Sequence, residues 1–399
     1  MKKNIAAAVL VSFALVMAGC GAGSNEEAKD SNIQNTEADA AKAEASDKQG
    51  DGQAELEEAA QAALEDAQGE DAAQELEDEV EMKQEPVKGE IVTMGDENAS
   101  LKVGMVTDLA GINDMSFNQS AWTGLLTIND SMGVRVSYIE SKSADQYTAD
   151  LERLCEDGND ISWGIGYTFA DAVKEAAEKY PDDNFAIMDW AYDEVPHNVT
   201  GATFRSEEAS YLVGYIAGNM TKTGKVGFIG GVDTDVIKPF RYGFEEGLKA
   251  ADEKTGNTTV LVTDYINTFD NTGAGNQAAM KMYDGGCDIV FHAVGGAGVG
   301  VIEAAKRTGN FVIGADSDQS YLAPDNVLTS AVKKLNVAIS NITVQRSMGD
   351  NIGGKSIQYG LAEQGVGIPV NHPLYSDELY DEVMDLQNRI ISGDIDLEY

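Results

Sequence analysis

From Lys102 onward the sequence repeats one unit, a short β-rich run followed by a helix-length amphipathic stretch, as far as about residue 348. Runs of period 2, or short apolar runs, read as strands; apolar residues at i, i+3 and i+4 read as helices. Strands are predicted near 103–108, 134–140, 161–167, 185–190, 199–204, 225–230, 260–266, 289–293, 311–316 and 327–332. Helices are predicted near 119–132, 145–156, 169–180, 207–221, 239–254, 275–283, 298–307 and 335–348. This alternation is the pattern of parallel, doubly wound α/β sheets, in which each parallel strand needs a crossover before the next can form. About three hundred residues are too many for one such sheet, so two lobes are expected. A break falls near Phe204 to Ser206, where a strand ends and a helix starts with Glu207 and Glu208 in its first turn.

In open α/β sheets a ligand is met at the carboxyl ends of the strands. Asp108, Tyr167, Asp189 and Asp316 stand at such ends, and Gly295 and Gly296 follow a fifth strand. The loop after the first strand brings Phe117 and Asn118 to the same edge. Taken singly, each of these fits a cap or a turn, and Phe117 fits a hydrophobic staple. Their recurrence on one edge is what points to binding.

Before residue 100 the chain is of another kind. Met1 to Cys20 has the form of a secretory signal: Lys2 and Lys3, an apolar run too short for a comfortable span, then Met-Ala-Gly-Cys, which resembles a lipobox with Cys20 as the lipidated residue. Residues 21–100 hold no aromatic side chain and carry 24 acidic residues against 5 lysines. Such a segment buries too little to offset its ordering entropy, so a disordered acidic linker is expected. The formal charge of −40 argues against nucleic acid or an anionic membrane surface as partner. With no later span, the protein is expected outside the cell, anchored to membrane lipid through Cys20. Cys155 and Cys287 are expected as two buried thiols rather than a disulfide.

The stretch from Asp108 to Gly124 fits D-x-x-x-x-x-D-x-S-F-N-Q-S-A-W-x-G at Asp108, Asp114, Ser116, Phe117, Asn118, Gln119, Ser120, Ala121, Trp122 and Gly124. Further on stand LVGYIAGNMTKTGKVGFIGG (212–231), GFEEGLKA (243–250), DIVFHAVGGAGVGV (288–301), VIGADSDQ (312–319) and LTSAVKK (328–334). These segments resemble the basic membrane protein family of substrate-binding lipoproteins, also called purine nucleoside receptor-like, over everything after about Ser100. The resemblance implies a type I periplasmic-binding fold with two discontinuous lobes and three crossings, near 204, 316–323 and 347–358. Lobe 1 would then hold 101–205 and 317–347, and lobe 2 would hold 206–316 and 348–399. It also implies a monomer that binds a purine nucleoside and delivers it to an ABC permease, with no cofactor. In that reading Phe117 stacks on the base, Asp189 meets the base edge, and Asp316 with Lys333 holds the ribose. The second stacking ring is Phe269 by first choice, with Phe291 or Phe240 able to take the role.

These residue types suit that chemistry. Aromatic rings hold a flat base by burial and stacking, and a carboxylate accepts both hydroxyls of a cis-diol. Lys333 beside Asp316 would keep it ionised. The run IVFHAVGGAGVG with Asp316 downstream mimics a dinucleotide-binding fingerprint, but Val301 falls where the third glycine belongs. Neither a nucleophile elbow nor a Walker loop is present, and the three His form no metal-ligand spacing, so neither catalysis nor a metal site is expected. Rival readings keep the fold and change its use: a binder of a flavin or sugar-like signal, or a surface sensor that passes its closed state to a receptor.

Overall fold

The structure is a computed structural model that describes residues 89–399. The expected signal segment, Cys20 and most of the expected linker lie outside the described residues. Seven strands form one sheet: β1 (Val92–Met94), β2 (Lys102–Thr107), β3 (Arg135–Glu140), β4 (Ile161–Gly164), β5 (Phe185–Met188), β6 (Val199–Phe204) and β12 (Lys355–Tyr359), in the order β1-β3-β2-β4-β5-β6-β12. Six form the other: β7 (Lys225–Gly230), β8 (Val260–Tyr265), β9 (Ile289–Ala293), β10 (Phe311–Asp316), β11 (Val327–Lys333) and β13 (Val366–Gly367), in the order β13-β11-β10-β9-β7-β8. Every pairing is parallel except β1 with β3 and β11 with β13, both at sheet edges. Central strands such as β4 and β5 are buried along their whole length, as parallel strands covered on both faces must be.

Helices α1 (Phe117–Met132), α2 (Tyr147–Glu156) and α3 (Ala170–Lys179) cover the first sheet, and α4 (Ser206–Met220), α5 (Lys238–Thr255), α6 (Thr272–Asp284) and α7 (Gly298–Thr308) belong to the second. Then α8 (Leu335–Ser347) returns to pack on α1, and α9 (Asp377–Ser392) packs on α4. The fold is thus two doubly wound lobes joined by three crossings, of the periplasmic-binding type.

Two crossings are not where they were expected. The first follows β6, as expected, but β11 stays in the second sheet, so the chain crosses back at Lys333 to Leu335 and not near 316–323. The third follows β12, which pairs with β6 in the first sheet, so it runs from Tyr359 to Val366 and not through 347–358. Residues 317–333 therefore belong with lobe 2, and 348–359 with lobe 1. The crossings are stitched to one another: the Arg205 amide donates to the Tyr359 carbonyl at 2.9 Å, and the Lys334 amide to the Gly365 carbonyl at 2.8 Å. The buried Glu208 carboxylate accepts from the Leu361 amide at 2.6 Å. The folded part also begins earlier than expected, since β1 lies within 21–100 and pairs with β3. Cys155 and Cys287 are free thiols, the first half-buried and the second buried.

Candidate functional site

A cleft enclosing about 640 Å³, its open mouth included, lies between the two sheets at the carboxyl ends of their strands. All eight binding candidates line it: Asp108, Phe117, Asn118, Asp189, Phe269, Gly295, Asp316 and Lys333. Phe291 does not; it is fully buried against Phe228, Phe240 and Phe244. Phe240 and Phe269 both line the cleft from the second lobe.

The first-lobe wall is built by one carboxylate that the sequence reading left unassigned. Asp114 accepts the amides of Ser116 at 2.9 Å, Asn118 at 2.8 Å and Gln119 at 2.9 Å, so it closes the otherwise unpaired N-terminus of α1. That fixes Phe117, the first residue of the helix, and Asn118. The Asn118 side-chain amide in turn donates to Asp108 Oδ1 at 2.8 Å. Burial raises the Asp114 pKa to about 6, against the three amides, and the nearby Asp316 carboxylate adds to the rise.

On the other side, Gly231 just after β7 leaves room for the Phe269 ring, which a Cβ there would overlap. The loop after β9 braces the same residue: the Ala297 amide donates to the Phe269 carbonyl at 2.9 Å. Gly295 makes that turn in the left-handed region, φ 55°, where a Cβ is strained. Four non-glycine residues at this edge share that backbone region: Met115 (φ 55°) in the loop after β2, Asp189 (φ 58°) after β5, Asn267 (φ 56°) after β8, and Asp316 (φ 67°) ending β10. Strain of this kind persists where the surroundings over-determine a position, and it gathers at binding sites.

The charged groups pair across the lobes. Lys333 Nζ, buried, donates to Asp189 Oδ2 at 2.8 Å. It also sits 5.2 Å from the Phe117 ring centre, 5.5 Å from that of Phe204 and 5.0 Å from that of Phe240, a cation among three aromatic faces. Asp316 Oδ2 accepts from the Ser116 hydroxyl at 2.6 Å. Lys333 was expected beside Asp316, keeping it ionised; its hydrogen-bonded partner is Asp189, and it acts on Asp316 through space. Burial raises the Asp316 pKa, Lys333 and the Ser116 hydroxyl oppose the rise, and Asp189 adds to it. Ser116 was within the recognised motif, but only a three-dimensional structure brings it to Asp316.

Comparison with known proteins shows a family. A profile described as "ABC transporter substrate-binding protein PnrA-like" matches residues 101–399. Basic membrane protein A of Borreliella burgdorferi is 41% identical over 300 residues, 74% of this chain and 86% of that protein. A CD4+ T-cell-stimulating antigen of Listeria innocua is 36% identical over 324 residues, 75% of this chain and 89% of that protein. Among solved structures, an ABC transporter solute-binding protein from Aeropyrum pernix K1 superposes with a TM-score of 0.68 at 24% identity, covering 74% of this chain and 92% of that one.

Proposed function

The chain belongs to the PnrA-like family of ABC transporter substrate-binding proteins, and from that premise we propose that its cleft takes a purine nucleoside. The family is one of extracytoplasmic binding proteins that serve a permease, not of enzymes. The observation that carries the choice of ligand is the make-up of the cleft: aromatic side chains from both lobes, Phe117 on one side with Phe240 and Phe269 on the other, set among carboxylates at the strand ends. Phe117 and Phe269 hold the base by burial and stacking. Asp189 reads the base edge, with Asn118, Asp108 and Gly295 completing the wall.

Asp316 receives the ribose. A carboxylate offers about four acceptor sites, so the Ser116 hydroxyl leaves room for two sugar hydroxyls. Asp108, Asp114, Asp189 and Asp316 face the cleft with Lys333, a balance that favours an uncharged nucleoside over its phosphate ester. Cys20 carries the lipid that anchors the protein, and the loaded, closed form is presented to the permease. Closure follows because a ligand touching both lobes has higher affinity for the closed state.

Calorimetry with guanosine, 2′-deoxyguanosine, guanine and guanosine 5′-monophosphate tests this. The expected order is guanosine, then deoxyguanosine, then guanine, with the monophosphate weakest. Losing one hydroxyl from a buried carboxylate costs about 1–3 kcal/mol, roughly ten- to a hundredfold in affinity. Asp316→Ala should flatten the difference between the first two ligands. Equal binding of the nucleosides and the free base would remove Asp316 from the sugar site, and no heat with any of them would refute the nucleoside reading.

A further inference from the structure

One buried amide outside the cleft lining connects the two lobes. Gln319, fully buried, follows β10 and turns its side chain back under the strand end. Its Oε1 accepts from the Ala315 amide at 3.2 Å, the residue just before Asp316. Its Nε2 donates across the cleft to the Met115 carbonyl at 2.9 Å, the residue just before Ser116. Its own amide donates to Ser330 Oγ on β11 at 3.2 Å. Gly314 leaves the space for this side chain, since a Cβ there would press on Gln319 Oε1 and Ser330 Oγ.

The Met115 carbonyl is unusual in its own right. Met115 holds φ 55°, a conformation that costs a non-glycine residue free energy and needs support from outside. That support comes from the opposite lobe: besides Gln319, the Ser317 hydroxyl donates to the same carbonyl at 3.4 Å, and the Tyr321 hydroxyl to the Met115 sulfur at 3.4 Å. With Ser116 to Asp316, two consecutive residues of lobe 1 are gripped by one short segment of lobe 2.

We infer that Gln319 is a positioning residue: through the Met115 carbonyl it holds the lobes closed by protein contacts alone, and through Ala315 it sets the strained Asp316 in the same act. The fit of Asp316 to Ser116 is therefore tied to lobe closure. A change at Gln319 should alter binding without removing any ligand contact.

The test reads the lobes and not a ligand, so it stands apart from the choice of nucleoside. Spin labels at Lys174→Cys and Glu303→Cys, with the native thiols replaced, report the interlobe distance in the full, unliganded chain. Gln319→Met keeps the size but loses both bonds, and should lower the closed-to-open ratio about five- to tenfold. Gln319→Glu at pH 8 sets a carboxylate against the Met115 carbonyl and should open the lobes further. At pH 5 the protonated side chain can donate again, so the closed population should return for Glu and not for Met. The titratable groups around this contact are His292 on β9, whose ring meets the Gln319 side chain, Asp316 on β10, Asp318 and Tyr321 in the same segment, and Asp114 beside Met115 across the cleft. His292 is held neutral by burial, its pKa lowered to about 4, whereas Asp114 titrates in this window; the original chain and Gln319→Met correct for it. Should the Gln319 variants not fold, Ser317→Ala with Tyr321→Phe removes the two outer bonds and should open the lobes in the same direction. An unchanged distance distribution in the variants that fold, or recovery of Met and Glu alike at pH 5, overturns the inference.

Discussion

Asp114 does the work of a helix cap with a side chain that the folded protein would prefer to keep protonated. Its pKa is about 6 in the fold against an ordinary 3.8, from burial first. The folded state therefore binds this proton more tightly than the unfolded chain does. The resulting stabilisation is full below about pH 3.8 and is lost as the pH rises through about 6. Over that window the change is at most about 3 kcal/mol. Asp114→Asn removes the titration and one acceptor oxygen. Thermal melts at pH 4.5, 5.5 and 7 should show the gap between the original chain and the variant narrowing as the pH rises. A gap independent of pH would mean that Asp114 does not titrate there. At this scale the sequence was informative where a residue type announces its chemistry: Asp108, Phe117, Asp189 and Asp316 are legible as strand-end carboxylates and a loop aromatic. Ser116, Gln319 and the Lys333 to Asp189 pair were not, since each depends on a partner supplied by the other lobe.

Between elements, one close helix contact in lobe 2 is made by what is missing. On α4, Gly214 and Gly218 face α5, and on α5, Gly243 and Gly247 face α4; each glycine stands four residues from its fellow. A Cβ on Gly243 or Gly247 would overlap the Glu207 or Tyr211 carbonyl, and one on Gly214 the Phe244 carbonyl. The helices thus touch backbone to backbone, and Gly247→Ala must push them apart. Overpacking of this kind costs about 1–3 kcal/mol, so its melting temperature should fall by several degrees; an unchanged melt would show the helices free to separate. The doubled i, i+4 glycine spacing stood in the sequence and went unread. The ten predicted strands and eight predicted helices each have a counterpart, because buried parallel strands and amphipathic helices carry strong local patterns. The elements that were missed divide by cause. β1, three residues long, and β13, two residues long, are too short to show a period. Half-polar β12 lies on a sheet edge, whereas α9 has a Ser376 N-cap and an amphipathic face that could have been read. The displaced crossings have a different reason, since a βα unit looks the same whether the next strand stays in its sheet or joins the other.

For the whole molecule, attachment and closure are separate questions. No helix among the described residues is long and apolar enough to cross a membrane; the proposed anchor is Cys20. Cys20→Ser should move the protein from the membrane fraction to the medium; retention of that variant would mean that something else holds it. The route of the chain through the lobes also governs how the protein is made. Phe204 at the end of β6 pairs with Tyr359 at the end of β12, and all of β7 to β11 is threaded between them. Gly124 of α1 likewise waits for Asn336 of α8, against which it packs closely. The first lobe therefore cannot close its sheet edge or cover α1 until nearly the whole chain has been synthesised. Distant pairings of this sort make folding slow. For a protein of an extracytoplasmic family, such a delay would leave the emerging chain loose enough to be threaded across a membrane before its first lobe sets.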